Sequence, residues 1–171
     1  MIKVSAFVNL PLNLSIKMAK QSAGILLYRT TDHLLQVFLV HSGGPFFVNK
    51  DDGSWSIPKG EFLDDEVPLD AAKREFFEET GQAVNGVFIP LTPIHQKAGK
   101  KVFAWAIEGD INAAAIFSNT FELEWPPKSG KINTFPEVDK AGWFSIEEAK
   151  IKINHAQVGL IEELISLYRA D

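Results

Sequence analysis

Residues 60–81, GEFLDDEVPLDAAKREFFEETG, constrain this chain more than any other stretch. Pro68 suits the first position of a helix, where its missing N–H costs no intrahelical bond, and Gly81 suits the residue just past the end. Between them Leu69, Ala72 and Phe76 recur at helical spacing and form an apolar stripe. Glu75, Glu78 and Glu79 lie three and four positions apart, so they share a face. That face runs beside the stripe, at the rim where such a helix meets a sheet.

With Glu66 added, four like charges gather in one region and repel one another unless something positive intervenes. Arg74 stands four residues before Glu78, which predicts an ion pair between them. One arginine does not balance the set. A divalent cation does, and magnesium prefers oxygen ligands while keeping waters for a phosphate-bearing substrate. The bland alternative is a solvated acidic helix end. The helix dipole favours acids at the N-terminus, yet Glu78 and Glu79 stand at the C-terminal end.

The chain has 171 residues, enough to bury a core, and reads as one domain over 1–171, with 1–17 as a possible N-terminal extension. A hydrophobic fraction of 46% argues against disorder. A net charge of −5 leaves no basic footprint, so nucleic acid is not the expected partner. No apolar run reaches membrane-spanning length. The absence of cysteine rules out disulfides, thiol nucleophiles and cysteine zinc sites. Asn9, Pro11 and Asn13 interrupt the mildly apolar start, which argues against a signal peptide, and Met18 offers an alternative start. The expected location is the cytoplasm. The oligomeric state stays open, a homodimer included.

Strands are expected at 22–30 and 34–41, joined through Thr31, Asp32 and His33, with a short strand at 55–58 and further strands near 86–91 and 102–108. Residues 42–54 read as a loop and 110–136 as an irregular stretch. Trp143 and Phe144 end another short strand. Ser145 with Glu148 reads as a capping box opening C-terminal helices, which pack through Val158, Ile161, Leu164, Ile165 and Tyr168. This order suggests an α/β (α+β) fold with a mixed β-sheet carrying helices.

Residues 60–82 resemble the Nudix box. Gly60, Glu66, Arg74, Glu75, Phe76, Glu78, Glu79 and Gly81 match its pattern, and Gln82 stands where the box has an aliphatic residue, with Val84 the nearest substitute. The preceding WSIPKG is similar to the usual entry into that box. The stretches SNTFELEWPPKSG and FPEVDKAGWF resemble a bacterial branch of the family of unassigned substrate. The resemblance implies an alpha-beta-alpha sandwich with a mixed sheet. It implies hydrolysis of a nucleoside diphosphate linked to another moiety, with Mg2+ (Mn2+ as alternative) as cofactor and a small nucleotide as partner.

Carried onto this chain, the resemblance makes Glu78, Glu79 and the Gly60 carbonyl metal ligands. Glu75 is a further ligand or the general base, and Arg74 orients the carboxylates. Glu137 is the candidate base outside the box, ahead of Glu122 and Glu124. Lys59 is a candidate phosphate contact, and Phe47 and Trp125 are candidate base-stacking residues beside Phe46 and Trp105. His41 and His95 read as packing residues. Lys97, Lys100 and Lys101 read as a solvated hairpin tip within reach of a polyphosphate tail. Markers of the NADH-cleaving branch are absent, no tyrosine lies between Ala83 and Asp110, and the spacing of Pro90 and Pro93 does not match the ADP-ribose branch. A nucleoside polyphosphate, such as a dinucleoside polyphosphate or nucleoside triphosphate, is the expected substrate. The competing reading is a nucleotide-binding sensor or regulator that keeps the fold without the reaction.

Overall fold

The computed structural model of the chain describes residues 20–169. The extension at 1–17 and the alternative start at Met18 lie outside the described residues. Strand β1 (Gln21–Thr31) turns directly into β2 (Leu34–Ser42). Asp32 and His33 both take positive φ, 50° and 64°, the pattern of a two-residue hairpin turn that follows the strand twist. Thr31 therefore belongs to the strand rather than to the turn.

The short strands β3 (Trp55–Ser56) and β4 (Lys59–Glu61) lead into helix α1 (Pro68–Thr80). Pro68 starts the helix and Gly81 ends it in the left-handed conformation, its N–H donating to Phe77 O at 2.7 Å. Strands β5 (Ile89–Pro90), β6 (Ile94–His95) and β7 (Lys101–Glu108) follow. The strand expected near 86–91 shrinks to the two residues of β5.

Residues 110–136 are more regular than expected. They hold a separate hairpin, β8 (Thr120–Glu124) with β9 (Ile132–Pro136). Its alternation is only half-buried and Pro126 and Pro127 interrupt it, which hides the strand signal. Strand β10 (Val138–Ser145) then runs into α2 (Ile146–Lys152) and α3 (Val158–Tyr168). The Ser145–Glu148 capping box forms at the start of α2.

The main sheet runs β10-β2-β1-β7-β5. The β1–β7 pair is parallel and the other pairs are antiparallel, so the sheet is mixed. Its two faces follow the two-residue alternation of strands. Ala23, Ile25, Leu27, Phe38 and Val40 pack with Ala72 and Phe76 of α1. Leu26, Val37 and Leu39 pack with Ala149 of α2 and Leu160, Ile161 and Leu164 of α3. The result is an α/β/α sandwich. Tyr168, expected in the packing face of α3, is instead exposed, with its hydroxyl 3.1 Å from Thr30 Oγ1. Among the described residues, no helix is long and apolar enough to cross a membrane.

Phe76 is 1% exposed and meets Phe38 with ring centroids 6.2 Å apart. Burying such a ring contributes about 1.5–3 kcal/mol and fixes the rotation of α1 about its axis. Gln157, fully buried, joins the C-terminal helices to the site side of the chain. Its Oε1 accepts the Ile57 N–H at 3.1 Å and its Nε2 donates to Ser56 Oγ at 3.0 Å. Gln157→Leu leaves the Ile57 N–H unpaired, so it should destabilise the protein by about 1–3 kcal/mol. Urea unfolding measures this, and an unchanged midpoint would contradict the role given to Gln157.

Candidate active site

Strand β4 pairs with β1 in the register Ala23 opposite Gly60, which sets Gly60 beneath α1. A Cβ on Gly60 would overlap the carboxyl group of Glu75. Glycine is therefore required by close approach: the helix lays its second-from-last turn against bare backbone. The neighbouring Lys59 N–H donates to Glu79 Oε2 at 3.1 Å, a second tie between strand and helix.

A cavity of about 490 Å³ opens at this junction. Lys59, Gly60, Glu75, Glu78, Glu79 and Glu137 line it, together with Phe47, Phe121 and Lys100. The structure thus brings residues from β4, α1, the 42–54 loop and the β9–β10 link to one place. Trp125 lies outside this lining. It sits in the hairpin, edge-on to Phe46 at 5.2 Å, and Asn133 Nδ2 donates to its carbonyl at 2.7 Å. Trp105 packs with the α1-side core. Glu124 accepts the Gly130 N–H at 2.7 Å within the hairpin turn, and Glu122 is exposed. His41 is buried, as expected of a packing residue, whereas His95 is exposed.

Arg74 braces the acids differently from the spacing argument. It grips Glu66 at two points, Nε to Oε1 at 2.9 Å and Nη2 to Oε2 at 3.0 Å, and reaches Glu75 at 2.6 Å. Glu78, the partner expected from i,i+4 spacing, is the longer contact at 3.3 Å. A planar guanidinium matches a carboxylate best through two parallel bonds, so Glu66 takes it. Arg74 and Glu66 line a neighbouring depression of about 400 Å³ that shares Glu61 with the cavity.

The electrostatics follow from burial and like charge. Burial pushes the Glu79 carboxyl up to about 8, against the opposing pull of the Lys59 charge. Burial also raises Glu75 despite Arg74 beside it, with Glu78 and Glu137 adding to the rise. Glu137 is raised by burial and then by Glu78. Lys59 is lowered by burial, with Glu79 opposing. Glu66 is held below its ordinary range by the Arg74 hydrogen bonds. Among the described residues, no three Asp, Glu or His side chains already stand as a metal cage. The donor set is nevertheless one of hard oxygens with uncompensated negative charge in one cavity, which is the chemistry a divalent cation requires.

Of the lysines expected at a hairpin tip within reach of a polyphosphate tail, Lys100 lines the cavity and pairs with Glu61 at 3.0 Å. Phe121 escaped sequence reasoning and becomes legible as a wall once β8 is recognised as a strand. Gln82, the departure from the box, anchors a loop: its amide donates to Asn112 O at 3.0 Å and accepts from Asn112 N at 3.1 Å. Val84 takes the packing role beside the α1-side core.

A family model described as NUDIX domain matches residues 18–164. No curated protein matches the chain in sequence. Among solved structures, the chain is similar to a C. elegans Ap4A hydrolase in a binary complex, with TM-score 0.60 and 20% identity over 89% of this chain and 98% of that one. It is also similar to the NUDIX domain of Shewanella oneidensis NrtR complexed with ADP-ribose, with TM-score 0.62 and 16% identity over 89% and 90%. A mutT/nudix family protein from Listeria innocua gives TM-score 0.59 and 16% identity over 88% and 94%. At these identities the likeness speaks for the fold.

A carboxyl raised on folding makes the folded state hold its proton more tightly than the unfolded chain does. The stability from Glu79 is therefore fully present below its ordinary value of 4.5 and is lost as pH rises to about 8. In the presence of a chelator, the urea midpoint of the wild type should fall across this window, and Glu79→Gln should flatten much of the fall. An identical decline in both proteins would contradict the assignment.

Proposed function

The chain belongs to the Nudix family, whose enzymes are pyrophosphohydrolases, and on that footing we propose that it cleaves a phosphoanhydride bond in a nucleoside diphosphate linked to another moiety, using a divalent cation. The supporting observation is the single cavity that holds Glu75, Glu78, Glu79, Glu137 and the Gly60 backbone, with Lys59 and Lys100 in its walls. A nucleoside polyphosphate is the favoured substrate. The structurally similar Ap4A hydrolase and the NrtR domain complexed with ADP-ribose point to ligands that share a nucleoside-diphosphate core, which such a cavity has to accommodate.

In this reading the Gly60 carbonyl, Glu75, Glu78 and Glu79 hold magnesium or manganese. The cation, when bound, supplies neutralisation of phosphate charge and an acidified water. Glu137 comes from the β9–β10 link rather than from α1 and lines the same cavity. Burial and the Glu78 charge raise its carboxyl above the ordinary range, which makes it a stronger proton acceptor than a solvated carboxylate. Glu137 takes the proton of the attacking water as the water oxygen bonds to phosphorus, and the bridging oxygen leaves with the departing phosphate. Arg74 keeps Glu66, Glu75 and Glu78 from swinging into solvent. Lys59 and Lys100 face the phosphates, and Phe47 and Phe121 offer apolar surface for the rest of the nucleotide.

Two tests follow. A screen of nucleoside diphosphate derivatives with magnesium and manganese, with products identified by mass, should give two phosphate-bearing products from at least one substrate. Chelation should abolish the turnover and either cation restore it. The double variant Glu78→Gln, Glu79→Gln should lose turnover by about a thousandfold or more with its circular dichroism unchanged. Undiminished turnover in that variant would overturn the reading. Nucleotide binding without turnover at any metal concentration would favour a sensor instead.

A further inference from the structure

His41, near the end of β2, is completely buried and takes no part in the chemistry above. Both ring nitrogens meet acceptors. Nδ1 lies 2.6 Å from Asp139 Oδ1, and Nε2 lies 2.9 Å from the Lys50 carbonyl oxygen. A carbonyl only accepts, so the network assigns a proton to Nε2. Nδ1 has the Asp139 carboxyl group as its partner, so both ring nitrogens are engaged.

These partners belong to two segments that each carry a residue of the cavity lining, Glu137 and Phe47. Asp139 sits at the register shift of β10, between Val138 opposite Ser42 and Lys140 opposite His41. An extra residue at such a bulge bends the strand and re-aims nearby side chains. Glu137 stands immediately before it, with its N–H donating to Asn119 O at 2.8 Å and its carbonyl accepting from Gly43 N at 2.9 Å. Lys50 closes the turn that carries Phe47, its N–H donating to Phe47 O at 2.8 Å. Trp55 packs edge-on against the imidazole at 5.3 Å. One ring thus ties the Glu137 segment to the Phe47 loop.

We propose that His41 is a positioning residue. Through Asp139 it sets the bulge that aims Glu137 into the cavity, and through the Lys50 carbonyl it holds the Phe47 loop to the same cavity. The inference rests on the reading of Glu137 as proton acceptor. An apolar replacement leaves Asp139 and the Lys50 carbonyl without their partner. Asp139→Asn keeps the network, because its amide donates to Nδ1 of a ring protonated on Nε2. Asp139→Ala does not.

The test compares kcat, KM, urea midpoints and amide exchange over 42–50 and 133–140 for His41→Leu, Asp139→Ala, Asp139→Asn, Glu137→Gln and the His41→Leu, Glu137→Gln double variant. His41→Leu and Asp139→Ala should lower kcat by about a hundredfold, as expected for a misplaced catalytic group. Both should speed exchange in the two segments, while Asp139→Asn stays near wild type. In the Glu137→Gln background His41→Leu should add little, because both changes disable one function. Losses that multiply in the double variant, or unchanged exchange in both segments, would overturn the proposal. If His41→Leu does not fold, the Asp139 pair carries the comparison, at a side chain 23% exposed, and equal kcat in the two overturns it. A wild type without turnover on any substrate overturns the functional reading instead, and amide exchange then decides the positioning claim alone.

Discussion

The carboxyl of Glu75 lies where a side chain on Gly60 would begin, and the rest of the site is arranged around that contact. A helix comes this close to a strand only over glycine. The approach puts Glu79 on the Lys59 N–H and brings the Gly60 backbone into the same cavity as three helix carboxylates. Phe76, one position after Glu75, goes into the core and fixes the helix rotation. The buried stripe and the acidic face are therefore set by one packing event, and neither can shift without the other.

The arrangement is unfavourable in isolation. Carboxylates taken from water and placed beside one another lose hydration and repel. Arg74 offsets part of this through Glu66 and Glu75, and the Lys59 amide offsets part through Glu79. Glu75, Glu79 and Glu137 still sit above their ordinary range. A cluster that folding alone would disfavour is held in place by the apolar contacts of α1 and by the backbone bonds of Glu137 to Asn119 and Gly43. Sites that trade stability for function show this pattern.

Helix α1 was legible in the sequence because every local signal agreed: proline at its start, glycine at its end, an apolar stripe and an acidic face between them. The β1–β2 hairpin and the Ser145 cap were legible for the same reason, each being written within a few residues. What escaped reading depends on partners far apart in the chain. Gln157 meets Ser56 and Ile57 about a hundred positions away, and Gln82 meets the Asn112 backbone thirty away. His41 meets Asp139 across 98 positions. Such hydrogen bonds leave no periodicity to detect. Arg74 shows the intermediate case: spacing alone favours Glu78, yet Glu66 offers the better two-point geometry. The β8–β9 hairpin was hidden by its half-exposed alternation and its prolines, and with it the place of Phe121 in the cavity wall and of Trp125 away from it.

The central claim is that Gly60, Glu75, Glu78 and Glu79 form the seat of a divalent cation. A crystal structure grown with manganese and a non-hydrolysable nucleoside diphosphate derivative, with anomalous scattering recorded at the manganese edge, tests it most directly. The expected result is an anomalous peak bonded to these carboxylates and to the Gly60 carbonyl, with the phosphates facing Lys59. A peak elsewhere, or a nucleotide bound away from this cavity, would contradict it.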